Sequence, residues 1–258
     1  MIVSTSIKPP EADVAKAKEL AAELDARYVP RKSESLAGMR KKRGENRLLI
    51  VGSEGLKYYE DDAPAFYYHP SMAFVRVKRL RRGESDPLIG QSGCEPGDRV
   101  LDCTAGLCAD ALVFSYAVGE QGSVTALESE PLLHAIVREG LAAYETRLPD
   151  VDAAMRRIQT ERIHHLDKLA GLPDDSFDIV YFDPMFRRPL HDSSALEPLR
   201  TVANPEALSE EAVRHAVRVA RKTVLLKEHK KSGEFERLGF RRLQPNKTST
   251  TTYGVINP

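Results

Sequence analysis

The apolar positions of this chain come in blocks whose spacing switches between an alternating, strand-like pattern and a helical one. Met1 to Ser6 reads as a short strand, and Pro9-Pro10 leads into a helix over Glu11 to Arg27. That helix has apolar positions at Val14, Ala17, Leu20, Ala21 and Leu24, acidic residues opening it and Arg27 closing it, as the helix dipole favours. Ser33 to Arg43 fits a second short helix. Leu48-Leu49-Ile50-Val51 and Leu56-Lys57-Tyr58-Tyr59, joined by Gly52-Ser53-Glu54-Gly55, read as a hairpin. After the polar break Asp61-Asp62-Ala63-Pro64 come the aromatics Phe66, Tyr67 and Tyr68, then His69-Pro70. Ser71 to Leu80 follows as a helix with a strongly basic C-terminal half.

Glu84 to Asp98 is rich in turn residues, with Pro87, Gly90, Gly93, Pro96 and Gly97. Beyond it the alternation of strand and helix becomes regular. Strands are expected at Arg99–Cys103, Ser123–Glu128, a short segment that includes Ile163-His164, Phe177–Asp183 and Thr223–Lys227. Helices are expected at Leu107–Val118, from Pro131 to about Arg147, and at Pro205 to Ala220. Phe240–Leu243 and Thr250–Ile256 look like a closing antiparallel pair. This order predicts an α/β domain, mostly parallel and covered on both faces, over residues 99–258. Residues 1–83 form a small N-terminal α+β subdomain in this reading, and residues 84–98 link the two.

In such sheets a ligand sits at the carboxyl ends of the strands, and here those ends are acidic. Asp102, Glu128, Asp167 and Asp183 each close or just follow a strand. Buried strand ends carry charge only where something solvates or pairs it. The pattern fits one ligand with several donors: an amino group, a ribose diol and an adenine amine. The turn Asp102-Cys103-Thr104-Ala105-Gly106-Leu107-Cys108-Ala109-Asp110 lets a ligand approach the backbone and leads onto a helix N-terminus, a seat for a carboxylate or phosphate. It lacks G-x-G-x-x-G, which argues against a dinucleotide. Glu128 lies about 20 residues past the turn, the offset of a ribose-binding acid; it also fits a cap before Pro131. Asp167 fits a turn cap as well as a ligand contact.

Asp183-Pro184-Met185-Phe186 carries the reactive chemistry in this reading. An exocyclic amine is a poor nucleophile because its lone pair is delocalised into the ring. Acceptors on its N–H groups localise that pair: the Asp183 side chain and a carbonyl near Pro184, whose ring keeps the loop aimed. Phe186 can stack on a base that has left its helix, or can sit in the core.

Bulk properties narrow the picture only a little. The chain has 258 residues, with 38 basic and 38 acidic side chains. The local clusters Arg40-Lys41-Lys42-Arg43, Lys78-Arg79 with Arg81-Arg82, and Arg187-Arg188 are compatible with a polyanion groove. There is no apolar run of about 18 residues and no signal-peptide pattern, so no membrane partner is expected and the cytoplasm is the expected compartment. Three cysteines fit a reducing compartment. Cys103 and Cys108 have no second pair at zinc spacing, so no metal is expected. No G-x-S-x-G nucleophile motif is present.

At these residues the chain resembles a class I S-adenosylmethionine-dependent methyltransferase with a Rossmann-like sheet. It is similar in particular to the RsmJ family, which methylates the exocyclic amine of a guanine in small-subunit ribosomal RNA. The residues that carry the likeness are Asp102-x-Thr104-Ala105-Gly106-Leu107-x-x-Asp110-Ala111, the acidic end of the second strand with Pro131 after it, and Tyr181-x-Asp183-Pro184-Met185-Phe186. The resemblance implies S-adenosylmethionine as cofactor and RNA as substrate. It implies cofactor contacts at Asp102, Ala105, Gly106, Ala109, Asp110, Glu128, Ser129, Leu166, Asp167 and Asp183, with Asp183, Pro184 and Phe186 serving transfer. The chain departs from the family at Cys108 and Ala109, where the family has glycine then arginine, and at Arg187-Arg188-Pro189. A small-molecule methyltransferase and a non-catalytic RNA-binding protein on the same fold are the alternatives.

Overall fold

The computed structural model describes residues 1–184, 206–244 and 249–258. Phe186 and its neighbours Met185, Arg187 and Arg188 lie outside these. The chain opens with β1 (Ile2–Thr5), α1 (Glu11–Glu23), β2 (Arg27–Tyr28), α2 (Leu36–Arg43), β3 (Arg47–Gly52) and β4 (Gly55–Glu60), whose strands form a sheet in the order β2-β1-β3-β4. β1 runs parallel to β2 and β3, and β3 and β4 are the expected hairpin. Helix α1 is shorter than its apolar pattern predicts. Asp25 takes a left-handed conformation (φ 48°), and the Ala26 amide donates to the Ala21 carbonyl at 2.8 Å. That closure ends the helix, and Arg27 enters β2 instead of closing α1. Helix α2 begins at Leu36 because Ser35 caps it, its hydroxyl accepting the Gly38 amide at 3.0 Å.

Next come α3 (Ser71–Arg81) and α4 (Pro87–Ser92). The Pro and Gly residues of 84–98 therefore bracket a helix instead of marking only turns. Asp86 caps α4, accepting the Leu88 amide at 2.9 Å; Pro87 sits at its first position, Gly93 ends it left-handed, and Leu88 is fully buried.

The main sheet is built from β5 (Arg99–Asp102), α5 (Ala109–Val118), β6 (Ser123–Glu128), α6 (Pro131–Ala143), α7 (Pro149–Arg157), β7 (Ile158–Arg162), α8 (His165–Gly171), β8 (Phe177–Phe182), α9 (Glu210–Val219), β9 (Ala220–His229), α10 (Glu234–Arg237), β10 (Arg241–Arg242) and β11 (Thr251–Ile256). Its order is β10-β11-β9-β8-β5-β6-β7. β5 to β9 pair in parallel, whereas β11 runs antiparallel to both β9 and β10. This is the Rossmann-like α/β arrangement with antiparallel C-terminal strands. Several expected boundaries move. The helix from Pro131 stops at Ala143, and Pro149 starts the separate α7. The third strand is Ile158–Arg162; Ile163 follows it, and His164 caps α8, its Nδ1 accepting the Leu166 amide at 3.3 Å. β7 is the edge strand and polar in four of its five residues, so it carries little of the apolar signal that marks the central strands.

One apolar cluster runs through both sheets. It joins Val3, Leu20 and Leu49 to Tyr68, Leu88, Leu112 and Ile136. The other face of the main sheet buries Leu101, Val180 and Phe182 against Ala216 and Phe235. Polar contacts lace the seam: Arg138 on α6 holds Glu23 on α1 through two bonds of 2.8 and 2.9 Å. Among the described residues, no helix is long and apolar enough to cross a membrane.

Candidate active site

The chain leaves β5 for β6 and β7 on one side and then crosses back to β8 and β9 on the other. The crevice between the ends of β5 and β8 is therefore the switch point, where open α/β sheets take ligands. Asp102 pairs in register with Tyr181 on β8 and with Ala126 on β6. Phe182 pairs with Leu226 on β9, which sets Asp183 level with Lys227.

The turn after β5 is stitched across these strand ends. Asp102 Oδ1 accepts the Thr104 amide at 3.1 Å, and Thr104 Oγ1 accepts the Asp183 amide at 2.6 Å. The Ala105 amide donates to the Leu127 carbonyl at 3.0 Å. Glu128 takes the Gly106 amide on Oε2 at 3.1 Å and the Glu130 amide on Oε1 at 2.9 Å. Gly106 (φ 49°) and Cys108 (φ 54°) are both left-handed, a conformation that costs a residue with a Cβ roughly 1–2 kcal/mol. Cys108 holds it while fully buried, its amide donating to the Ala105 carbonyl at 2.7 Å. Helix α5 then starts with no side-chain cap.

Behind the turn lies a chain of alternating charges. Lys227 Nζ donates to Asp183 Oδ2 at 2.7 Å and to Asp110 Oδ2 at 2.9 Å. Tyr181 donates its hydroxyl hydrogen to Asp110 Oδ2 at 2.7 Å. Arg76 of α3 pairs with Asp110 Oδ1 and grips Asp86 through two bonds of 2.8 and 2.7 Å. By sequence Arg76 belongs with the cations of a basic run; in the fold it turns inward, and the exposed run begins at Lys78. Burial would raise the Asp110 pKa, but Lys227 and Arg76 hold the carboxyl well below its usual range. Burial raises the Asp183 pKa, Lys227 opposes that, and Asp110 adds to it. Among the described residues no cation contacts Asp102, and burial pushes its pKa up to about 8 against the opposing pull of the Thr104 amide and Lys227. Burial also raises that of Glu128.

Leu166 and Asp167 stand in the first turn of α8, directly past the β7 end, and Ser129 follows Glu128 at the β6 end. His165 meets the Phe182 ring edge-on at 5.8 Å, and burial lowers its pKa to about 4. Pro184 follows Asp183 at the mouth of the crevice. The fold thus brings Asp102, Ala105, Gly106, Glu128 and Asp183 around one crevice. It commits the Asp110 carboxylate to Arg76, Tyr181 and Lys227, leaving the amides at the start of α5 for a ligand. Sequence reasoning misses Lys227, Arg76, Asp86 and the hydroxyls of Thr104 and Tyr181. A lysine ending the buried run Val224-Leu225-Leu226 is the available signal for the first.

These groups fit S-adenosylmethionine. The uncapped α5 N-terminus suits a carboxylate. The Glu128 carboxylate has about four lone-pair sites, of which the Gly106, Ser129 and Glu130 amides take three, so one acceptor remains for a diol hydroxyl.

A chain 42% identical over 255 residues, covering 99% of this chain and 98% of the other, is the uncharacterized protein YpiP of Bacillus subtilis. Ribosomal RNA small subunit methyltransferase J of Stutzerimonas stutzeri is 36% identical over 124 residues, and its counterpart in Pseudomonas aeruginosa is 31% identical over 152. The matches span 45% and 56% of those two proteins, and 46% and 57% of this chain. In fold, the crystal structure of a SAM-dependent methyltransferase from Neisseria gonorrhoeae is similar over 100% of this chain and 96% of that one, with a TM-score of 0.64 at 19% identity. A family model described as "Putative SAM-dependent methyltransferase" matches residues 37–239, and the chain belongs to that family of S-adenosylmethionine-dependent enzymes.

Proposed function

We propose that the protein methylates an exocyclic amine, of the guanine N2 kind, in RNA, with ribosomal RNA as the substrate. The observation that carries this reading is the placement of Asp183. Its amide is fixed by Thr104 Oγ1 and its Oδ2 by Lys227, so a carboxylate of set direction closes β8 beside the cofactor crevice. S-adenosylmethionine supplies a methyl group on a cationic sulfur. The chain's part is to hold the amine in line and to accept its N–H groups, with Asp183 and the backbone at Pro184 as acceptors. Among the described residues, no group of three or more His, Cys, Asp or Glu could hold a metal.

The surface of α3 supports an RNA substrate. Met72 and Val75 are exposed there, and Lys78, Arg79 and Arg82 continue the same side of the helix. Beside them is a cleft of about 350 Å³ lined by Phe74, Lys78, Arg81, Arg82, Thr146 and Leu148. Apolar and aromatic groups interleaved with cations are the makings of a single-strand binding face. The relatives named as ribosomal RNA methyltransferases support the same substrate class.

The test is transfer of tritium from labelled S-adenosylmethionine to small-subunit ribosomal RNA, naked and in particles, by the wild type and by Asp183→Ala. Label in RNA that disappears in Asp183→Ala supports the reading. Label that appears only in small molecules, or that persists in Asp183→Ala, overturns it.

A further inference from the structure

We propose that Lys227 is a positioning residue for methyl transfer: its ammonium clamps Oδ2 of Asp183 and so presents Oδ1 as the acceptor for the incoming amine. This rests on the reading that Asp183 meets an amine.

The geometry is set by strand register. Phe182 and Leu226 are direct partners, so the next residue on each strand emerges at the same level, at the open end of the sheet. Lys227 Nζ lies 2.7 Å from Asp183 Oδ2. The same nitrogen lies 2.9 Å from Asp110 Oδ2, and Asp110 is held by Tyr181 and Arg76. Arg76 is in turn anchored by two bonds to Asp86, the cap of α4. Lys227 is thus braced on the side away from Asp183. Because Thr104 fixes the Asp183 backbone amide, both ends of the Asp183 residue are constrained, and among the described residues one carboxylate oxygen is left over.

The clamp matters because an amine N–H needs an acceptor. A protonated Asp183 would present a hydroxyl hydrogen in its place. The charged and titratable groups around Asp183 come from every neighbouring element: Lys227 and Glu228 on β9, Asp110 on α5, Arg76 on α3, Asp102 on β5 and Tyr181 on β8. Tyr253 on β11 faces Lys227. Burial and the Asp110 charge both favour the protonated form of Asp183. Among the described residues Lys227 is the cation in direct contact with it, so removing that charge leaves a cluster of carboxylates balanced, among those residues, by Arg76. A lysine that served only to neutralise Asp110 would reach Asp183 through the Asp110 charge, so in an Asp110→Asn background its removal would leave the Asp183 midpoint unchanged, whereas the clamp predicts that the midpoint still rises.

The experiment follows the side-chain carboxyl signals of the full chain, labelled with ¹³C at aspartate, by NMR through a pH titration, with Asp183→Asn to assign the signal. Wild type, Lys227→Gln and Lys227→Arg are compared, and calorimetric titration with S-adenosylhomocysteine checks that the crevice is intact. In Lys227→Gln the Asp183 midpoint rises above that of the wild type, and Lys227→Arg restores it. In the tritium assay Lys227→Gln lowers kcat with KM for RNA little changed, and the acid limb of its pH profile moves up with the midpoint. An Asp183 midpoint that does not move in Lys227→Gln, or that moves only while Asp110 is charged, overturns the clamp alone. Where Lys227→Gln does not fold, the wild-type Lys227 ammonium signal decides the matter: it should shift as Asp183 titrates, and a signal indifferent to that titration overturns the clamp. Full transfer by Asp183→Ala overturns the amine reading and the clamp with it.

Discussion

Glu128 Oε2 accepts the Gly106 amide at 3.1 Å, which ties the acidic end of β6 to the turn after β5. The same carboxylate takes the Glu130 amide, so its direction is fixed before any ligand arrives. A diol that binds there finds an oriented acceptor. Glu128→Ala is therefore expected to weaken S-adenosylhomocysteine binding by about 1–3 kcal/mol, some tenfold to a hundredfold in Kd, measured by calorimetry. Glu128→Gln, which keeps one acceptor, should fall between. An unchanged Kd in Glu128→Ala would show that the carboxylate only braces the turn.

Asp102 makes stability depend on pH. Among the described residues no cation contacts it, and burial raises its pKa from an ordinary 3.8 to about 8. The folded chain thus binds a proton that the unfolded chain has released between those values, and stability contributed by this group falls as pH climbs from about 4 to 8. Asp102→Asn removes the charge and keeps an oxygen for the Thr104 amide. It is expected to flatten the fall in denaturant midpoint between pH 5 and 8 and to gain stability at pH 8, on the order of a few kcal/mol. A variant that runs parallel to wild type across that range would mean that Asp102 ionises without cost.

The outer side of α3 offers a test that leaves the crevice untouched. Lys78 stands over the Phe74 ring at 5.1 Å, while Arg79 and Arg82 make only exposed, loose pairs with Glu84 at 3.5 and 3.8 Å. Such pairs contribute little to stability. Reversing Lys78, Arg79 and Arg82 to Glu is expected to raise the Kd for ribosomal RNA at least tenfold. It should also lower the slope of log K against log salt by about 0.7 for each phosphate that is no longer neutralised, read by filter binding at several salt concentrations. Binding of S-adenosylhomocysteine should stay at the wild-type value. RNA binding unchanged in both respects would place the RNA elsewhere on the surface.

The strand ends are legible in the sequence because a central parallel strand is a short apolar run, and a carboxylate closing one stands out against it. Asp102, Glu128 and Asp183 are visible in that way. Their partners are not. Lys227 meets Asp183 only because β9 pairs with β8, and Arg76 reaches Asp110 only because α3 packs along α5. No local pattern records either pairing, and a lysine or arginine in a basic run reads as solvated until the fold turns it inward. The misplaced elements have local causes. β7 lies at the sheet edge and alternates weakly, whereas Pro87 and Pro149 start helices that turn chemistry alone does not distinguish from loops.

Gly140 marks how closely the N-terminal part is seated on the main sheet. A Cβ built on it would fall on Cβ and Cγ of Tyr68, atoms too near the backbone to swing aside. Tyr68 has little room elsewhere: its ring meets Tyr144 edge-on at 6.0 Å, and its hydroxyl reaches Met155 Sδ at 3.6 Å. Helix α6 can therefore lie against this strap only where it lacks a side chain. Gly140→Ala gains helix propensity but overpacks the seam. The overpacking should dominate, costing about 1–3 kcal/mol and lowering Tm by several degrees in a thermal melt. Gly140→Ala should cost less in a Tyr68→Gly background, which removes the clashing Cβ and Cγ together, than in the wild type; an equal cost in both backgrounds would instead mean that α6 shifts to accommodate the methyl without meeting Tyr68.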